Sequence, residues 1–277
     1  MNQTTAGYRI KFFYDYFTDD QVPGMFGFEH FMYLIVFFSV LSILIKRSRN
    51  LTAESQDRIV RWVTLCITIA EVVKFAISVY KGASPDNYIP LYFCGLFLFS
   101  LWLSVSNIPV LRNTGYAYIT MGGIMAGIIF TFYPSTSLLL YPLWHPNTIY
   151  AALYHGAMIY IGVVTLMRRK YEPTPHHAKY YFIFISAACV VSIVINKYLG
   201  TNCMFMRDPF GMPLLTEIER WCRPAYMLLA WFGQSVVLYW FNYFVYKTLR
   251  NRAEKKLSDG ADENDECEAE ETDTVTK

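Results

Sequence analysis

Long apolar runs alternate with short polar segments along almost the whole chain. Seven of the runs are long enough to cross a hydrocarbon layer of about 30 Å, which takes about 20 helical residues. They lie near Phe28–Ile45, Ile59–Tyr80, Pro90–Leu111, Gly115–Tyr133, Asn147–Met167, Lys179–Lys197 and Pro224–Lys247. Backbone groups in lipid must be satisfied within the protein, and the short alternating runs of a β-barrel do not occur in this sequence. The pattern therefore predicts an all-α polytopic membrane bundle of seven transmembrane helices.

Lysine and arginine cluster after alternate spans, which predicts the orientation. The clusters follow the first span at Lys46, Arg47 and Arg49, the fifth at Arg168, Arg169 and Lys170, and the last at Lys247, Arg250, Arg252, Lys255 and Lys256. In a seven-span bundle these three ends share one side, which the positive-inside rule makes cytoplasmic. The loop before the last span also carries arginines, but acidic residues dilute them there. We therefore expect the N-terminus outside and the C-terminus inside.

The chain divides by composition into three parts. Residues 1–27 form an outer N-terminal segment, in which Tyr8 to Phe17 is expected at the membrane interface and Asn2-Gln3-Thr4 is a glycosylation sequon. Residues 28–250 hold the seven-helix transmembrane domain. Residues 251–277 form an acidic cytoplasmic tail, which is expected to be disordered because it has too little apolar surface to fold.

Composition excludes several classes of protein. Charged residues make up only 17% of the chain, against about 25% in soluble domains. The basic residues flank apolar runs, so they indicate membrane orientation and no nucleic-acid binding. No CxxC pair occurs among the cysteines, so we expect neither a structural metal nor a cofactor. The predicted location is a bacterial cell membrane or, in a eukaryote, an endomembrane or plasma membrane, with membrane lipids as partners and protein partners open.

Most polar side chains within the spans belong to the outer half of the predicted bundle. They are His30, Glu71, Lys74, Cys94, His155, Asn196 and, near mid-membrane, Gln234, with Asn202 just beyond the outer end of the sixth span. At 1.5 Å per residue, Cys94 lies about 6 Å below the outer end of the third span and His155 about 12 Å below that of the fifth. Ionisable groups are costly in lipid and often mark functional sites. The distribution predicts one pocket that opens on the outer side.

Each of these residues also has a structural interpretation. Cys94 can be a small hydrophobic residue, although a thiol in the first turn of a helix feels the positive end of the dipole. A buried His155 can bond to backbone or act as a base. Glu71 and Lys74, three residues apart, can neutralise each other. Gly123 and Gly127 have the spacing that lets a neighbouring helix approach closely, and Cys203 and Cys222 can form a disulfide in an oxidising compartment.

Four stretches of the sequence carry a resemblance to a known family: Phe26 to His30, Ile89 to Cys94, Tyr141 to His155, and Asn196 to Phe205. In order and spacing they resemble the YwaF-type seven-span membrane proteins of bacteria. Animal relatives of similar pattern are described as transmembrane acyltransferases acting on phospholipids. In those relatives a cysteine near the start of the third span carries the acyl group, helped by a later histidine. The resemblance implies Cys94 and His155 in those roles.

These observations support three hypotheses of function. In the first, the chain is a lipid acyltransferase with Cys94 as nucleophile, His155 as base and acid, and Asn196 or Asn202 as oxyanion donors. His30, Glu71, Lys74, Tyr92 and Gln234 would then support or bind a phospholipid substrate. In the second, a transporter or small-molecule receptor uses the same outer pocket without covalent chemistry. In the third, the chain is a structural or accessory subunit.

Overall fold

The computed structural model describes residue 17 and residues 22–134, 136–209 and 213–255. The predicted interfacial stretch before Phe17, the sequon at Asn2 and the tail beyond residue 255 lie outside the described residues. Everything described is helix, turn or irregular backbone, and no strand occurs in these ranges. The predicted all-α fold is confirmed.

Six apolar helices are long enough to cross a membrane within the described ranges. They are Phe28–Asn50, Ala53–Tyr80, Pro109–Phe132, Pro146–Met167, Pro175–Leu199 and Arg223–Lys255. We label the individual helices α1 (Phe28–Arg47), α2 (Ala53–Tyr80), α3 (Leu96–Ser104), α4 (Pro109–Tyr118), α5 (Ile124–Phe132), α6 (Pro146–Met167), α7 (Ala178–Leu199), α8 (Pro213–Trp221) and α9 (Arg223–Phe232). Two π-helical turns, Ile119–Gly123 and Gly233–Val237, follow α4 and α9.

The third predicted span, Pro90–Leu111, is not a continuous helix. The one helix that lies wholly within it is α3, with nine residues, and at 1.5 Å per residue it is about 14 Å long. Residues 88–95 before it are irregular, and the chain turns again before Pro109. Proline suits the first turn of a helix because its fixed φ is helical and its missing N–H is not needed there. The fourth helical segment therefore begins at Pro109 rather than at the predicted Gly115.

Irregular backbone inside the bundle has its carbonyl groups satisfied by buried tyrosines. The hydroxyl groups of Tyr118 and Tyr226 donate to the carbonyls of Phe93 and Phe205, both in irregular segments. Those of Tyr181, Tyr239 and Tyr154 donate to the carbonyls of Gln234, Thr174 and Cys94. An unpaired backbone carbonyl away from water is costly, so non-helical backbone persists at depth only where protein groups bond it. The many tyrosines of this chain supply those donors.

The close helix contact predicted from Gly123 and Gly127 occurs at only one of the two. A Cβ added at Gly127 would lie 2.6 Å from Ile159 Cγ1 and 2.9 Å from the His155 carbonyl oxygen, so α5 meets α6 there. At Gly123 the nearest atom, 3.5 Å away, belongs to Tyr118 of the preceding turn. Gly127 therefore sets the separation of α5 and α6 beside His155.

The polar segments that follow α1 and α6 contact each other. A guanidinium N–H of Arg168 donates to the carbonyl of Arg49 at 2.9 Å. Lys170 forms a salt bridge with Asp57, and its ammonium lies 5.7 Å from the centre of the Tyr116 ring. The ends of these two long helices therefore lie on the same side of the fold.

The chain separates into two compact units, Met1–Tyr239 and Trp240–Lys277. The first unit holds every predicted site residue. The second is helical as far as residue 255, and Arg250 pairs there with Glu254 at 2.9 Å.

Candidate functional site

Cys94 lies where the irregular segment 88–95 passes into α3. The first helical residue is Leu96 and Gly95 is the N-cap, so the thiol stands one residue before the cap rather than inside the first turn. The turn is tight, because a Cβ added at Gly95 would come within 2.6 Å of the Pro90 carbonyl oxygen. Within the described residues, no backbone carbonyl accepts a hydrogen bond from the N–H groups of Cys94 and Gly95. The thiol is thus accompanied by two backbone donors at the amino end of a helix.

His155 is buried on α6 with one ring nitrogen engaged and the other without a partner. Its Nδ1 lies 2.8 Å from the carbonyl oxygen of Ala151, and because a carbonyl only accepts, Nδ1 carries the hydrogen. Nε2 is then an acceptor, and it has no hydrogen-bond partner in the described part of the chain. The ring stacks on Phe130 with centroids 3.6 Å apart and planes at 4°. The contact with the Ala151 carbonyl therefore fixes the tautomer in which Nε2 is unprotonated, and the Phe130 contact fixes the orientation of the ring.

Tyr154 connects the segment that carries Cys94 to α6, at the position next to His155. Its hydroxyl donates to the Cys94 carbonyl at 3.1 Å and lies 3.5 Å from that of Gly95. Its ring meets that of His155 at 5.5 Å. No hydrogen bond joins the thiol to His155 among the described residues, so their connection runs through Tyr154.

Glu71 and Lys74 form an ion pair that a tyrosine of α6 completes. The Lys74 ammonium lies 3.3 Å from Glu71 Oε2, and the Tyr150 hydroxyl donates to Glu71 Oε1 at 2.5 Å. The ammonium lies 5.9 Å from the centre of the Tyr150 ring. Tyr150 and Tyr154 are one helical turn apart, so the pair adjoins the residues around Cys94.

The structure places Tyr92, Asn202 and Asp86 together. Asp86 Oδ1 accepts hydrogen bonds from the Tyr92 hydroxyl at 2.6 Å and from the Asn202 N–H at 3.0 Å. The Tyr92 ring also meets Phe205 at 6.1 Å. One carboxylate therefore joins the irregular segment that carries Cys94 to the irregular segment 200–209.

The two asparagines predicted as oxyanion donors hold the 200–209 segment in shape. Asn196 Nδ2 donates to the Cys203 carbonyl at 3.0 Å, and its Oδ1 accepts from the Cys203 N–H and the Thr201 hydroxyl. Asn202 Nδ2 donates to the Asp208 carbonyl at 2.9 Å. Gln234 Nε2 donates to the carbonyl of Met204 at 3.0 Å. The side-chain donors of all three amides have partners within the protein.

His30 is wholly buried at the start of α1 with both ring nitrogens engaged. Nδ1 accepts from the Phe26 N–H at 3.0 Å, and Nε2 lies 3.2 Å from the Thr131 carbonyl, to which it donates. The ring thus ties the amino end of α1 to the carboxyl end of α5. This geometry gives His30 a structural role.

Cys203 and Cys222 are both free thiols, so the disulfide considered from the sequence is not formed in this structure. Cys203 is buried, and its thiol lies 3.6 Å from the Thr201 hydroxyl. Burial raises the pKa of this thiol, which the Thr201 contact partly opposes. No cluster of potential metal ligands occurs in the ranges that the structure describes.

Comparison with known proteins identifies a family. The sequence pattern of the TMEM164 family matches residues 25–246. The chain belongs to the TMEM164 family. No curated protein and no solved structure matches it. The family match covers every predicted site residue, and with the six apolar helices it shows an integral membrane protein.

Sequence reasoning missed three residues that organise this TMEM164-family site. Tyr150 and Tyr154 stand four residues apart directly before His155, and a tyrosine hydroxyl inside a span needs a partner. That spacing was a usable signal. The sequence contains no comparable signal for Asp86, because it lies in a polar turn and its partner Asn202 is 116 residues away along the chain.

Proposed function

We propose that this TMEM164-family chain is a cysteine-dependent acyltransferase that acts on membrane phospholipids. One observation carries the proposal: the buried Nε2 of His155 has no hydrogen-bond partner in the described part of the chain, next to the tyrosine that bonds the Cys94 carbonyl. An imidazole whose tautomer leaves Nε2 unprotonated can accept a proton as a general base. The resemblance of the Cys94 and His155 stretches to YwaF-type proteins and their acyltransferase relatives supports the same roles.

The reaction has two halves that balance without an oxidant or reductant. In the first, Nε2 of His155 accepts the thiol proton, and Sγ of Cys94 attacks the ester carbonyl of a donor phospholipid. The ester C–O bond breaks, the departing alkoxide takes the proton from Nε2, and the acyl group remains on sulfur as a thioester. In the second half, Nε2 accepts the proton of an acceptor hydroxyl while its oxygen attacks the thioester. The C–S bond breaks and the thiol regains its proton.

The negative charge that develops on the carbonyl oxygen needs hydrogen-bond donors. Backbone N–H groups at the amino end of a helix are effective oxyanion donors. The N–H groups of Cys94 and Gly95 are candidates for these donors, because no backbone carbonyl of the described chain accepts from them. We propose them in place of Asn196 and Asn202, whose amides are engaged in the 200–209 segment.

We also propose seven crossings with the N-terminus outside. The irregular segment 88–95 and the short α3 would make the third crossing together, since they connect the end of α2 to the start of α4. The contact between Arg168 and Arg49 and the ion pair of Lys170 with Asp57 support a shared basic, cytoplasmic side. Cysteine accessibility from each side of sealed vesicles tests this topology.

Intact-mass analysis of the purified chain after incubation with a donor phospholipid tests the enzyme proposal. We expect an acyl adduct that Cys94→Ala removes and that hydroxylamine releases. Cys189→Ala is the control, because that residue is another free thiol of the membrane domain, on α7, and it should keep the adduct. Undiminished acyl transfer by Cys94→Ala would refute the mechanism.

A binding protein without covalent chemistry is the second candidate. The Glu71, Lys74 and Tyr150 cluster favours it, because charged groups inside a membrane also mark ligand pathways. It predicts that Cys94→Ala binds its ligand unchanged and that no adduct forms on the native chain.

A further inference from the structure

The Glu71 and Lys74 pair stands on a helix with a large exposed apolar surface. Val72, between the two, is 61% exposed, and Phe75, directly after them, is 50% exposed. Lys74 lies six residues before Tyr80, about 9 Å below the end of α2 at 1.5 Å per residue. Charged groups at this depth are costly because lipid tails cannot solvate them, and they commonly mark ligand pathways.

The two partners are engaged unequally. The Glu71 side chain is 11% exposed and accepts from both Lys74 and Tyr150. The Lys74 side chain is 35% exposed, and its only hydrogen-bond partner in the described chain is Glu71. An ammonium has three donors. Glu71 is thus occupied, whereas Lys74 keeps donors that face outward.

Part of α6 next to Lys74 is left uncovered by its neighbouring helices. α1 and α2 both pack against α6 but make few contacts with each other in the described ranges. Leu153 of α6 is 68% exposed and lies between Tyr150 and Gly156, which both contact a neighbouring helix. Tyr150 contacts Glu71 of α2, and Gly156 faces Phe37 of α1. A lipid can therefore reach α6 from the side, between α1 and α2.

The uncovered part of α6 leads toward the nucleophile. Tyr150 beside Lys74 and Tyr154 beside Cys94 are four residues apart on α6, a rise of about 6 Å. In a glycerophospholipid, the glycerol backbone alone separates the phosphate from the acyl ester. A phosphate at Lys74 therefore suits an ester carbonyl near Cys94.

We infer that Lys74 binds the phosphate of a glycerophospholipid that enters between α1 and α2, while Glu71 and Tyr150 hold its ammonium in place. This inference rests on the proposed acyl transfer for its purpose. Binding itself needs no reaction, so the two can fail separately. Charge complementarity identifies the headgroup class, because a neutral glycerolipid offers Lys74 no anion.

The test measures lipid binding to the full-length Cys94→Ala chain, which forms no thioester. Native mass spectrometry compares lysophosphatidic acid with a monoacylglycerol of the same acyl chain. We expect the phosphate lipid to bind about tenfold more tightly, as a charge-assisted hydrogen bond allows. Lys74→Gln should abolish that preference and Lys74→Arg should retain it. Lys81→Gln, in the turn just after α2, is the matched control and should leave it unchanged.

Two further arms distinguish the alternatives. The double variant Glu71→Gln with Lys74→Gln removes both charges but keeps the length of both side chains. If the pair only neutralises itself, this variant keeps the headgroup preference, which would overturn the inference. If free glycerol phosphate displaces the lysolipid at equal concentration, the site recognises a soluble phosphate and the lipid assignment is wrong. A melting measurement on each variant ensures that folded protein is compared.

Discussion

The Tyr154 hydroxyl donates a hydrogen bond to the Cys94 carbonyl across 60 residues of sequence, at 3.1 Å. The bond ties the turn that carries the candidate nucleophile to α6, one residue from the candidate base. Neither side chain of the proposed pair makes this contact. The backbone of one and the neighbour of the other bring them to the same level.

Tyr154→Phe should destabilise the turn that carries Cys94, while the aromatic ring keeps its packing contacts. Loss of one buried hydrogen bond costs about 1 kcal/mol, and the freed Cys94 carbonyl keeps only the N–H of Phe97. We expect a lower melting temperature and slower adduct formation. Tyr160→Phe is the control, because that hydroxyl bonds Ser48 at 2.7 Å, outside the site. An unchanged adduct rate in Tyr154→Phe would separate this bond from the chemistry.

Asp86→Ala should loosen both irregular segments together. The carboxylate accepts from the Tyr92 hydroxyl and the Asn202 N–H, and hydrogen bonds to a charged group each contribute about 1.5–3 kcal/mol. We expect proteolysis of native protein to become faster in both 81–95 and 200–209. Asn87→Ala, an exposed neighbour, should have no such effect. Faster cleavage in only one segment would contradict the link.

Gly127→Ala should push α5 away from α6 where His155 stands. Its Cβ would lie 2.9 Å from the His155 carbonyl oxygen, and an overpacked methyl group costs about 1–3 kcal/mol. Thermal unfolding in detergent measures the loss. Gly123→Ala, with 3.5 Å to the nearest atom, is the matched control and should stay near the native value. Equal losses in the two variants would show that the helix contact is not the cause.

His155→Gln should slow acyl transfer more than it affects folding. Loss of a general base lowers rates by about 10²–10⁴-fold, while the amide retains a donor for the Ala151 carbonyl. Steady-state transfer and adduct formation should both fall. His176→Gln, at an exposed loop position, should be neutral. A native transfer rate in His155→Gln would remove this residue from the mechanism.

The sequence by itself determined the membrane class, the helical fold and the position of six of the long helices. Apolar runs of about 20 residues predict membrane-spanning helices, because each backbone group in lipid must be paired. The same rule led to an error at Pro90–Leu111. Apolar composition there predicted a full helix, yet the chain forms one only over Leu96–Ser104.

Only the tertiary structure decided how that irregular stretch is stabilised within the bundle. The Phe93 and Cys94 carbonyls find donors in Tyr118 and Tyr154, and Asp86 finds Asn202. These partners are 25 to 116 residues apart along the chain, so no local pattern encodes them. The sequence shows which polar groups must be shielded from lipid. The packing of distant segments determines which hydrogen-bond partner each of these groups finds.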